Sequence, residues 1–166
     1  MNRLCIQYTA EQGEACQLFE NIPAPERYTW LLDLLRFECQ SGCIKCCEQQ
    51  GFVYLTEDDL TRLAAFVKMS PRAFERRYVY RTKHLRRLRV PRHAQCIFLK
   101  SDGCSVHPAK PLQCRTFPFW PELVDDKREW LKTGHWCPGI GKGELVNIQT
   151  AREIAQTMRD ANPLHY

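Results

Sequence analysis

The chain has 166 residues, 44% of them hydrophobic, ten cysteines and a formal charge of +5. That suffices for one domain with an ordinary core, and no stretch approaches the roughly 18–20 apolar residues a membrane helix needs. The first residues, with Glu11 and Glu14 among them, lack the apolar run of a signal peptide, so a reducing cytoplasmic setting is expected.

Residues 1–22 show no strong period and read as an N-terminal arm; 23–166 read as one cysteine-cluster domain. From Pro23 the pattern is helical, with Tyr28, Leu31, Leu32 and Leu35 at i, i+3, i+4 and i+7. That helix is expected to deliver the chain directly to Cys39. Cys39, Cys43, Cys46 and Cys47 follow in FECQSGCIKCC, where Ser41-Gly42 turns the backbone. GFVYLT is a short β-type run. Thr56 caps the next helix, with Asp59 at capping-box spacing and acids in its first turn. Ser70-Pro71 opens another helix, expected to run to about Leu88. It carries most of the basic residues, Arg72 to Arg92, which could meet nucleic acid or an acidic partner; a solvated face offsetting anionic metal sites is preferred, so nucleic acid is possible but not favoured.

CIFL and CSV read as strands of a hairpin around Ser101-Asp102-Gly103, carrying Cys96 and Cys104. A turn or short helix presents Cys114. RTFPFWP is too proline-punctuated for helix. VDDKREWLK is helical, HWCPGIGKG is a loop with Cys137, and NIQTAREIAQTMRD is a final amphipathic helix.

Clustered thiols in such a setting read as metal ligands before disulfides. Cys43 and Cys46, two residues apart, are the usual bite for one centre. Cys46 and Cys47 are neighbours whose side chains are expected to diverge, so one of them would serve a second site or pack as a thiol. All-thiolate donor sets suit zinc or an iron–sulfur cluster; the compact run Cys39, Cys43, Cys46 and the Cys137-Pro138 pair lean toward iron–sulfur. Cys5 and Cys16 lie outside the pattern; His107 and His135 could complete a mixed Cys/His site but read first as surface residues, His84 and His93 read as solvated, and His165 is expected in a disordered C-terminus. GIGKG lacks the strand and Ser/Thr of a phosphate loop. No catalytic constellation stands out, and whether the chain is an enzyme stays open.

FECQSGCIKCC, VYLTEDDLTRLA, CIFL, GCSVHPAKPLQCRTFPFWP and CPGIGKG, spanning residues 37–143, resemble the YkgJ-type cysteine-cluster family, CxxCxxCC, named as zinc- or iron-chelating. The resemblance implies eight ligand cysteines: Cys39, Cys43, Cys46, Cys47, Cys96, Cys104, Cys114 and Cys137. This chain has three residues between Cys39 and Cys43 where the family's name has two, His107 where relatives often have tyrosine, and Lys110-Pro111 for the usual Arg-Pro. The fold expected is a small, mainly helical α+β domain, with a short β-hairpin and long loops organised around a cysteine-bound metal site. Arg115, Phe117, Phe119 and Trp120 are expected to surround it. Three functions fit: a metal-binding protein, a metal- or thiol-dependent redox or group-transfer enzyme, and a module for nucleic acid or an acidic partner.

Overall fold

A computed structural model gives the fold and describes residues 35–92 and 96–163. The expected arm, the helix from Pro23 up to residue 34, the boundary between arm and domain, Cys5, Cys16, His93 and His165 lie outside the described residues.

The architecture is α+β, with short two-stranded sheets between helices. Strand β1 (Arg36–Phe37) pairs antiparallel with β6 (Ile140–Leu145). Here the sequence expectation fails: residues 36–37 are strand, not the end of a helix. Leu35 explains it. Its side chain is fully buried, and its carbonyl accepts from Val146 N–H at 2.8 Å, so the chain is drawn out along β6. GIGKG, expected as loop, becomes most of β6, with Gly141 and Gly143 at φ 82° and 76° where the pairing shifts register.

Helix α1 (Lys45–Glu48) is a single turn, and α2 (Glu57–Phe66) has the full capping box expected: Thr56 Oγ1 accepts from Asp59 N–H and Asp59 Oδ2 from Thr56 N–H. Helix α3 (Pro71–Tyr78) starts at the Ser70 cap as expected but stops ten residues short of Leu88. The chain instead forms a hairpin of β2 (Val79–Arg81) and β3 (Arg86–Leu88). Thr82 closes its turn, bonding Leu85 through both backbone (2.9 Å) and hydroxyl (3.1 Å). Residues 53–55 run alongside: Leu55 N–H bonds Arg86 O and Leu88 N–H bonds Val53 O. These pairings outweigh the helical pattern, which packing commonly overrides.

Strands β4 (Leu99–Lys100) and β5 (Gly103–Cys104) form the second hairpin, tighter than expected, with Cys96 just before it. A 3₁₀ turn (His107–Ala109), α4 (Leu112–Thr116), α5 (Pro121–Val124), α6 (Lys127–Gly134) and α7 (Ile148–Ala161) follow. Helix α4 ends before the cis Phe117–Pro118 peptide.

Two cores result. One gathers Leu60, Leu63, Phe74, Leu88, Phe98 and Val106 from α2, α3 and both hairpins. The other gathers Leu35, Phe119, Val124, Trp130, Ala151 and Ala155. Burying these side chains supplies the main drive for folding. Among the described residues, no helix is long and apolar enough to cross a membrane.

Candidate metal centre

The sulfurs lie where the two cores meet. Cys96 and Cys104 pack against the first core; Phe117 and Trp120 pack against the second. All four line one cavity of about 330 Å³, together with Cys46, Cys47 and Cys114. The turn that carries Cys46 and Cys47 is tied to the first core by backbone: Cys96 N–H donates to Cys47 O at 3.3 Å.

Cys47 is the hub. Its thiol interacts with those of Cys104, Cys46 and Cys96, and these contacts push it far above the ordinary thiol range. The partners move the other way. The Cys47 contact lowers Cys46 to about 6, Cys104 to about 6 and Cys96 to about 7. Lys110 adds its positive charge at Cys46 and Cys104, and the backbone at Phe98 and Leu99 assists at Cys96. The contacts favour the thiolate form at Cys46, Cys96 and Cys104 and the protonated form at Cys47. A soft dication or a cluster iron could take that proton's place. The expected divergence of Cys46 and Cys47 therefore fails. They sit in the single turn α1, and the third and fourth thiols approach from the facing hairpin.

Cys114 stands on the same wall without a thiol contact of its own, and burial pushes it up to about 12. Cys43, Cys46 and Cys137 form a neighbouring electrostatic group: the charges of Cys43 and Cys46 act on Cys137, which burial holds above its usual range. Helix α6 delivers Cys137, whose N–H bonds Thr133 O at 2.9 Å. Cys39 is exposed and is tied to this region by backbone, since Glu38 N–H bonds Gly139 O at 3.0 Å. That approach requires glycine: a Cβ on residue 139 would come within 2.5 Å of Glu38 O. All eight described cysteines are free thiols. Among the described residues, no three or more Cys, His, Asp or Glu side chains stand preset around an ion position. His107 and His135 are exposed, as expected.

The surroundings differ from expectation. Phe117 and Trp120 line the cavity, but Phe119 is in the second core and Arg115 points outward, 3.9 Å from Asp59. The cation facing the sulfurs is Lys110, at the family's Arg-Pro position, acting on Cys46, Cys104 and Cys114. Two positioning residues went unrecognised in the sequence. Asp59, only 1% exposed, caps α2 and also accepts from Leu112 N–H (2.9 Å) and Arg62, fixing the start of α4 and hence Cys114. Gln113 accepts from Tyr54 N–H (2.8 Å), donates to Phe52 O (3.1 Å) and takes Trp120 Nε1–H on its carbonyl (2.8 Å). Asp59 was legible as a cap; its second role needs the fold.

The model of a cysteine-cluster family, described as "CxxCxxCC: Putative zinc- or iron-chelating domain", matches residues 38–138, more than half of the chain. An uncharacterized protein of Methanocaldococcus jannaschii is similar, 28% identical over 117 residues. That stretch covers 67% of this chain and 39% of the relative, so the chain spans well under half of the relative's length. No solved structure gives a significant match.

Proposed function

The chain belongs to the CxxCxxCC family, and from that premise we propose that it is a metal-binding protein whose principal centre is held by Cys46, Cys47, Cys96 and Cys104. One observation carries this reading: the Cys47 thiol meets three others, its neighbour Cys46 in α1 and Cys96 and Cys104 from the first core. Cys114 is a fifth sulfur on the cavity wall, and Cys39, Cys43 and Cys137 form an adjoining group that completes the sulfur set. An iron–sulfur cluster is preferred over zinc on the compact spacing of Cys39, Cys43 and Cys46 and the Cys137-Pro138 pair. Such a centre would supply either a structural clamp or electron transfer. This chain's own residues bring the thiols together, neutralise their charge through Lys110, and screen them from water with Phe117 and Trp120. A reducing, cytoplasmic setting is part of the proposal.

The cavity also favours a second reading, a metal- or thiol-dependent redox or group-transfer enzyme. Its aromatic walls and the uncommitted Cys114 leave room for a small molecule beside the sulfurs.

Anaerobic purification, with iron, zinc and acid-labile sulfide measured together with the visible spectrum, tests the proposal. Coloured protein with matching iron and sulfide is expected. Colourless protein with stoichiometric zinc would replace the cluster by zinc. A folded, metal-free protein would sink the proposal.

A further inference from the structure

The charge of the chain is sharply divided. Residues 68–100 hold eleven lysines and arginines and one carboxylate, Glu75; the other residues hold thirteen against eighteen. A chain of net charge +5 thus contains a segment of +10 and a remainder of −5. Eight of those eleven cations lie in residues 71–89, on α3, the β2–β3 hairpin and the residue that follows it. Arg72, Arg76, Arg77, Arg81, Lys83 and Arg89 are all exposed there. Glu75 is engaged by Arg81 at 2.8 Å, and Glu57 by Arg86.

Neutralising the sulfurs accounts for little of this charge. Beside the thiols stand Lys110 and Lys45, which are not from the segment, and of the segment's cations Arg89 alone lines the sulfur cavity. The arginines face solvent and are matched to a polyanion.

Aromatic rings on the same face narrow the choice of polyanion. Arg87 lies between Phe52 and Tyr80, its guanidinium 3.9 and 4.6 Å from their ring centroids. Phe52 and Tyr80 are 48% and 46% exposed although large and apolar. A purely acidic chain such as polyglutamate would use the charges and offer nothing to stack on these rings. Unstacked bases would use both, since any base can stack on an aromatic or guanidinium plane. Phe52 also lines the sulfur cavity, so a strand following the arginines would reach the cavity rim.

We propose that the α3 and β2–β3 face binds single-stranded nucleic acid, with phosphates on the arginines and bases stacked on Tyr80 and Phe52. The site does not depend on which metal the sulfurs hold.

The test is fluorescence anisotropy of the full chain, purified anaerobically, with labelled single strands of about 20 nucleotides, as RNA and as DNA, covering a stacking site and its flanks. Duplex DNA and polyglutamate serve as comparators. Tight binding of either single strand is expected, and the RNA and DNA arms identify the source. Affinity should fall about 100-fold between 50 and 200 mM salt, as roughly five phosphate contacts imply. Arg76→Glu with Arg77→Glu should weaken binding at least tenfold and flatten the salt dependence. Tyr80→Ala should weaken it about tenfold with the salt slope unchanged, and Tyr80→Phe should restore it. No binding at 50 mM salt would overturn the proposal. So would polyglutamate competing as well as the oligonucleotide, or duplex binding equal to single-strand binding with Tyr80→Ala silent.

Discussion

Helices α1 and α2 lie nine residues apart in the chain and are held by different forces. Helix α2 has ten residues, a complete capping box and four buried side chains. It carries its own stabilisation in its cap and its apolar face. Helix α1 has four residues, no side-chain cap and no buried residue, yet it carries Cys46 and Cys47. Its backbone ties are few: two bonds to Ile44 O and the Cys96–Cys47 link. A single turn so placed is unstable in water on propensity alone. The difference teaches where the metal's contribution to folding goes. The expectation that follows is that the first core holds α2 and α3 without a metal, whereas the 39–51 segment needs one.

Breaking the hub should have the largest effect. Cys47→Ser removes the thiol shared by three others, so metal affinity should fall at least 100-fold by metal analysis, the upper end of what even supporting residues cost. Cys114→Ser touches a sulfur without such contacts and should retain the metal; equal loss in both variants would erase the distinction between hub and wall. Asp59→Ala comes next. It opens the capping box, frees Leu112 N–H and takes the carboxylate from Arg62, which keeps Lys110 O, so chemical denaturation should show a loss of about 2–3 kcal/mol. Gly139→Ala forces a Cβ against Glu38 O and should cost about 1–3 kcal/mol, with the 39–43 region loosened before the first core. Thr56→Ala should cost about 1 kcal/mol by the same assay and leave metal content unchanged, because it weakens only the self-sufficient helix.

The same contrast governs what the sequence could reveal. Thr56, Ser70-Pro71, Ser101-Asp102-Gly103 and the final helix act through neighbours in the chain, and each stands where local chemistry puts it. Phe37 and Val79 do not. The helical pattern at Phe37 loses to strand pairing with residues 140–145, which no local window contains, and that at Val79 to a hairpin with 86–88 that residues 53–55 support from a distance. The eight cysteines were recognisable as a set from type, spacing and family resemblance. Their grouping was not, because adjacency in sequence suggested that Cys46 and Cys47 part, while the hairpin brings Cys96 and Cys104 to both. Lys110 was noticed only as a departure from Arg-Pro; facing the sulfurs is a property of the 3₁₀ turn that places it.

Hydrogen exchange on the loaded and the anaerobically chelated protein tests the central claim most directly. The account predicts that removing the metal abolishes protection in 43–51 and 96–104 while the amides of α2 and α3 stay protected. Protection unchanged in 43–51, or lost equally from α2, would contradict it.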